Sequence, residues 1–317
     1  MMPLAPILTA PMPGQSDNVA ELEKYVSRET VIRSNEPLAR RTTLRVGGPA
    51  DLYAEPASDE DLGAILKFCL ACSIPCFVLG RGSNLLVRDG GFRGVIICLA
   101  HSHFSRIEIA GNSLRCGAGA RLKHVAIEAK ARGLAGFEFL EGIPGSLGGA
   151  LRMNAGAMDG AIFDLVQWVR VMDRDGTIRS LSIGEVSIGY RNCPTLKTQI
   201  ALAAELKGKP DAPEAIARRM GEFSRKRWSS QPAAPSAGCI FRNPPSLPAG
   251  KLIDELGLKG ARVGGAVVSA EHGNFIINDG SANARDVLQL ISLIQERARS
   301  ARGIELQTEV EIVGDEI

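Results

Sequence analysis

The stretch SAGCIFRNPP, residues 236–245, sets Cys239 between a glycine and an Ile-Phe-Arg run, where proline and glycine rule out an ordinary helix. A thiol in such a place can fill a core, bind a metal, pair in a disulfide, act as a nucleophile or give up a proton. Two glycine-rich runs point to a different chemistry. LGRGSNLLV, residues 79–87, carries Gly80 and Gly82, which leave room for backbone N–H groups to face an anion, and Ser83 and Asn84 add side-chain donors. The run from Gly142 to Gly149 supplies a second concave glycine path, and MNAGA, residues 153–157, lies just beyond it. Taken singly, each loop reads first as a turn, because glycine is the default wherever φ must be positive. Together they suit the diphosphate of a dinucleotide. Gly80-Arg-Gly82 lacks the third glycine and the following helix of a Rossmann fingerprint, the second run is interrupted by Pro144, and there is no phosphate-binding lysine of the P-loop kind.

The other cysteines narrow the choices for Cys239. Seven in all (Cys69, Cys72, Cys76, Cys98, Cys116, Cys193 and Cys239) make an odd number in a chain of 317 residues, which argues for free thiols in a reducing compartment, the cytoplasm. CLACSIPC contains a CxxC, but three thiols are too few for a closed zinc site and no histidine stands nearby, so no metal is expected and core packing is the preferred reading. Lys plus Arg number 37 against 35 Asp plus Glu, a net +2, so no global field draws the chain to nucleic acid or an anionic membrane. No apolar run approaches the roughly 20 residues of a membrane span. Residues 1–20 lack the basic and apolar regions of a signal peptide and read as a mobile tail.

The elements that must position these residues are mixed. ADLYAEP reads as a strand, SDEDLGAILKFCLACSIPC as a helix opened by a Ser58/Asp61 capping box, and PCFVLG and GVIICLA as further strands. RIEIAGNSLRCGAG is a hairpin candidate, RLKHVAIEAKARG a helix, and Asp175-Gly176 a strong turn signal. Local hairpins favour an α+β fold over a purely doubly wound sheet. A helix over DAPEAIARRMGEFSRKRWSSQP precedes a shift in composition, placing a boundary near residue 220. Beyond it AVVSAEHGNFIIN reads as one strand, ANARDVLQLISLIQERARSARG as an amphipathic helix ended by Gly303 and IELQTEVEIVG as a last strand, a compact unit containing βαβ.

TTLRVGGPADLY, LGRGSNLLVRDGGFRGVII, GFEFLEGIPGSLGGALRMNAGA, GYR, SAGCIFRNP, LIDELGLKGARVGGAVVSAEHGNFIIN and GIELQTEVEIVG, in that order from about residue 36 to the C-terminus, resemble the UDP-N-acetylenolpyruvoylglucosamine reductase family of peptidoglycan precursor synthesis. The resemblance implies a two-lobed FAD-binding domain of the vanillyl-alcohol-oxidase type over residues 21–219. A smaller α+β substrate-binding domain would span 220–317, its last strand returning toward the active site. The spacer after Arg191 leaves no room for the tyrosine loop that one branch of the family carries. Non-covalent FAD would meet Arg45, Gly80, Arg81, Gly82, Ser83, Asn84 and Leu85, then Gly145, Ser146, Gly149 and Ala150, then Asn154, Gly156 and Ala157. NADPH is the implied reductant and a UDP-sugar carrying an enolpyruvyl ether the implied substrate, handled by a monomer.

By the same resemblance Arg191, Cys239 and Glu309 are catalytic: Arg191 polarising the substrate carboxylate, Glu309 with a raised pKa donating a hydrogen bond, and Cys239 protonating the carbon next to the carboxylate. Read without it, Arg191 and Glu309 are an ordinary surface arginine and strand glutamate. Arg191 beside Cys239 is expected to favour the thiolate. Tyr190, Arg242 and Asn243 are implied substrate contacts, with Lys251, His272 and Asn274 weaker ones. SRKRW, residues 224–228, could meet phosphates, but a solvated helix end is the plainer reading. Cysteine at 239 departs from the family's commoner serine, Thr308 stands where proline is usual, and Asn192 replaces a serine after Arg191. A flavin-dependent alcohol oxidase of the same fold is the competing reading; it would keep the glycine loops without needing Arg191, Cys239 and Glu309 together.

Overall fold

The computed structural model describes residues 15–316. Most of the expected tail lies outside the described residues, and its last part is ordered: Gln15–Leu22 is a helix. Three main sheets follow. In the first, Val31–Pro37 pairs antiparallel with Pro49–Glu55, which runs parallel to Phe92–Cys98, and that strand in turn parallel to Cys76–Leu79. The second is antiparallel throughout, in the order Ile178–Ser182, Val166–Met172, Ile200–Lys207, Ser113–Gly117, Ile107–Ala110. Its two hairpins are those signalled by Asp175-Gly176 and by RIEIAGNSLRCGAG. Apolar residues of both sheets, among them Leu52, Val95, Leu114 and Val169, share one buried core with the helices Asp59–Ala71 and Leu122–Ala131.

The third sheet, in the order Ser236–Cys239, Phe275–Asn278, Ala266–Val268, Arg262–Val263, is antiparallel. It packs with the helix Ala284–Arg302 around a second core that also takes in Leu44, Val46 and Leu86 from the N-terminal part of the chain. Asn283 caps that helix at Asp286 N, and Gly303, in the left-handed region at φ 63°, ends it.

Three sequence readings need correction. AVVSAEHGNFIIN is two strands, because Ser269 Oγ accepts from the N–H groups of Glu271 and His272 and turns the chain back. The βαβ reading fails as well. The strand after the long helix, Glu311–Val313, leaves the third sheet and pairs in parallel with Leu85–Val87, directly after the first glycine loop. The capping box is half formed: Ser58 Oγ accepts from Asp61 N at 3.1 Å, but the Asp61 carboxylate turns away to Ser27 N (2.7 Å), Ser27 Oγ and Thr30 Oγ1 (both 2.8 Å). Burial works to raise the pKa of Asp61; these hydrogen bonds outweigh it and hold the carboxyl below its usual value.

Asp61→Ala strands a backbone N–H and two hydroxyls, and is expected to destabilise the fold by about 2 kcal/mol in a denaturant melt at neutral pH. The difference from wild type should shrink in acid as the native carboxylate is protonated, since a depressed carboxyl stabilises only above its folded pKa. A melt unchanged by the substitution would contradict the assignment.

Candidate active site

Cys239 ends the strand Ser236–Cys239 opposite Phe275, and the chain beyond it is hydrogen-bonded to a neighbouring segment on each side. On one side Ile240 N donates to Asn274 O at 2.9 Å. The Asn274 side chain clasps Phe241 from both ends, accepting from Phe241 N at 2.9 Å and donating to Phe241 O at 2.8 Å. On the other side Glu309 N donates to Ile240 O at 2.7 Å and Arg242 N to Gln307 O at 2.9 Å. Phe241 and Thr308 form the bridge between these two bonds. Among the described residues the Thr308 N–H makes no backbone hydrogen bond, so the position requires no donor.

The first glycine loop holds the same segment. Asn84 Nδ2 donates to Glu309 O at 3.2 Å and Glu311 N donates to Asn84 O at 3.1 Å. Arg191 arrives from a tight turn closed by Gly189 N to Asn192 O at 2.9 Å, with Arg191 itself at φ 50°, a left-handed position usually given to glycine or asparagine. Its Nη2 donates to Gly156 O at 2.9 Å, its Nε stands 3.3 Å from Glu309 Oε1, and its guanidinium lies 5.3 Å from the Tyr190 ring centre.

Burial dominates the electrostatics. It raises the Glu309 carboxyl against the opposing pull of Arg191 and Arg242. It also raises the Cys239 thiol, assisted by the charge of Glu309, to about 11. Arg191 does favour the thiolate, as do Arg227 and a hydrogen bond from Asn274, but they lose to desolvation. The expected pull of Arg191 toward the thiolate is therefore present but outweighed by burial.

Arg191, Cys239 and Glu309 share a cleft of about 270 Å³ with the loops at 80–85, 145–150 and 156–157. Its walls at Gly80, Arg81, Ser146 and Gly149 are also walls of a larger cleft of about 730 Å³, so the two adjoin. The glycine loops meet there: a Cβ on Gly80 would come within 2.9 Å of Ser146 Oγ, and Gly82 sits at φ 61° against Arg41 O. Among the described residues the N–H groups of Gly80 to Asn84 donate to no backbone carbonyl. Asn154, left-handed at φ 42°, donates through Nδ2 to Gly189 O, while its buried Oδ1 has no partner. Asn154 itself lines neither cleft; the cradle of unused N–H groups along the two adjoining clefts fits a flavin dinucleotide.

The remaining implied contacts are dispersed. Arg45 is exposed and outside both clefts, its backbone at φ 60° held by Thr42 Oγ1. Tyr190 is 64% exposed beside the cleft. Arg242 is exposed but close enough for its charge to act on Glu309. Asn243 accepts from Ala249 N at 3.0 Å and so caps the helix Ala249–Glu255. Lys251 on that helix is exposed, 3.9 Å from Glu255, and His272 accepts from Asn274 N through Nδ1. Asn274, 3% exposed, spends its amide on Phe241. Sequence reasoning passed over Arg227. It lies against Gly142, facing Cys239, with burial lowering its pKa, and no carboxylate forms an ion pair with it among the described residues. The SRKRW run was its only signal, and a run of charges at a helix end does not reveal which side chain folds inward.

These features define a flavin-binding oxidoreductase. Residues 50–182 match the FAD binding domain family, and residues 231–313 match the C-terminal domain of UDP-N-acetylenolpyruvoylglucosamine reductase. A reductase of that name from Syntrophomonas wolfei is 42% identical over 287 residues, covering 90% of this chain and 96% of the relative. One from Bradyrhizobium is 43% identical over 282 residues, covering 89% and 92%. The crystal structure of the Thermus caldophilus enzyme superimposes with a TM-score of 0.78 at 41% identity, covering 90% of this chain and all of that one. The chain belongs to the UDP-N-acetylenolpyruvoylglucosamine reductase family, an FAD-dependent, α+β enzyme.

With the Cys239 thiol raised to about 11, the thiolate absorbance that separates wild type from Cys239→Ser should still be nearly absent at about pH 9.5. An ordinary cysteine is by then largely ionised, its pKa being roughly 8.5. A difference signal complete near pH 9 would contradict the burial argument.

Proposed function

We propose that the chain reduces UDP-N-acetylglucosamine enolpyruvate to UDP-N-acetylmuramate in the cytoplasm, with NADPH as reductant, in peptidoglycan precursor synthesis. The observation that carries this is the convergence of Arg191, Cys239 and Glu309 on the cleft that the flavin loops line. FAD, when bound, supplies the hydride that reaches the terminal methylene carbon of the enolpyruvyl group.

The rest falls to the chain's own residues. Arg191, fixed by Gly156 O and Glu309, holds the substrate carboxylate and offsets the negative charge that develops there. Glu309, its pKa raised, can give that carboxylate a hydrogen bond when protonated. Cys239 stays protonated at neutral pH and delivers the proton to the carbon beside the carboxylate. Arg227, half-buried and without an ion-pair partner among the described residues, meets the anionic part of the UDP-sugar. All these groups come from one chain, so a monomer is sufficient.

Cys239→Ala should leave reduction of the flavin by NADPH unchanged and slow the sugar-dependent reoxidation by about 10²–10⁴-fold, the usual share of a general acid. Rapid mixing without oxygen separates the two steps. Equal losses in both, or reoxidation at the wild-type rate, would remove Cys239 from the proton transfer.

A further inference from the structure

The three thiols of CLACSIPC are not equivalent. Cys69 is buried on the helix Asp59–Ala71, Cys72 at its end is exposed, and Cys76, half-buried, opens the strand Cys76–Leu79. Core packing therefore accounts fully for Cys69, in part for Cys76 and not for Cys72. Past the helix, Ser73 takes a left-handed conformation at φ 54° and Ile74 N returns to Cys69 O at 2.8 Å. This fold-back returns Cys76 to the core that holds Cys69, where the two thiols act on each other's ionisation. From a different element, the turn between Val166–Met172 and Ile178–Ser182, Arg174 places Nη1 3.1 Å from Cys76 Sγ. The neighbouring Cys69 thiol and then Arg174 favour a thiolate at Cys76 and hold its pKa below the ordinary thiol value, while Cys69 is raised by its neighbour Cys76 and by burial. None of these groups lies against Arg191, Cys239 or Glu309.

We propose that Cys76 and Cys69 form a peroxide-reactive dithiol, with Arg174 as the residue that keeps the attacking sulfur anionic. The Cys76 thiolate attacks one oxygen of hydrogen peroxide; the O–O bond breaks, the departing hydroxide takes a proton to become water, and Cys76 becomes a sulfenic acid. The Cys69 sulfur then attacks Cys76, the S–O bond breaks, and the second oxygen leaves as water with the Cys69 proton. Two thiols lose two electrons and two protons, peroxide is reduced to two waters, and a Cys69–Cys76 disulfide results. The bridged sulfur carries no charge, so Arg174, which lines the larger cleft, loses its anionic partner on oxidation.

The test uses the FAD-loaded enzyme and dilute hydrogen peroxide, followed by blocking of free thiols and tryptic digestion. One peptide, residues 68–81 between Lys67 and Arg81, carries all three cysteines. It should lose the mass of two hydrogens and carry a single blocked thiol, at Cys72. In Cys69→Ser the reaction should stop at a sulfenic acid on Cys76 that dimedone captures. Arg174→Gln should slow the oxidation by about tenfold, as expected when an activating cation is removed from a thiolate. Three blocked thiols after treatment that oxidises other cysteines, a bridge that includes Cys72, or an unchanged rate in Arg174→Gln would each overturn the proposal.

Discussion

The clasp of Asn274 on Phe241 is the contact on which the active-site arrangement depends. A buried side-chain amide has both a donor and an acceptor to satisfy, and here the two are spent on the N–H and C=O of one residue. The peptide segment after Cys239 is thereby fixed on one side, with its opposite edge left for residues 307–309. An apolar residue of similar size at 274 would fill the space but orphan two backbone groups in the core. Once that segment is set, Glu309 is held at the cleft where Asn84 Nδ2 meets its carbonyl. The last strand then continues along Leu85–Val87 and stitches the C-terminal segment to the first glycine loop.

This geometry creates an electrostatic balance. Glu309 and the Cys239 thiol are both desolvated, and each would be harder to ionise alone. Arg191 opposes that tendency in both, yet burial prevails, so acidic groups remain available beside a permanent cation. The arginine is held at φ 50°, and the Gly189–Asn192 turn together with the carbonyl of Gly156 fixes where its guanidinium points. Pre-orientation of this kind is what stabilises charge in a transition state without reorganisation at the moment of reaction.

Much of this was legible in the sequence, and the failures share a cause. The two hairpins and the positions of the helices are written in local periodicity and turn chemistry, and the structure agrees with them. Arg191 and Glu309 had no local signal of their own and were found through an ordered set of motifs. The sequence points to the pull of Arg191 on Cys239 but not to the larger effect of burial, because a neighbouring arginine can be inferred from motifs, whereas the depth of burial cannot. Arg227 was missed for the same reason. Asp61 was assigned to a capping box when its carboxylate is spent on Ser27 and Thr30, more than thirty residues away in sequence. The split of AVVSAEHGNFIIN depends on Ser269 bonding to the turn that follows, a competition with the ladder that strand propensity does not register.

The central claim is that Arg191 and Glu309 act as one unit across the cleft. A double-mutant cycle of Arg191→Gln, Glu309→Gln and the pair, read as the rate of sugar-dependent flavin reoxidation, tests it most directly. The account predicts that the double variant falls little below the more damaged single variant, because either change already dismantles the pair. Losses that multiply would mean that the two residues contribute independently, and that their 3.3 Å approach is not part of the catalytic arrangement.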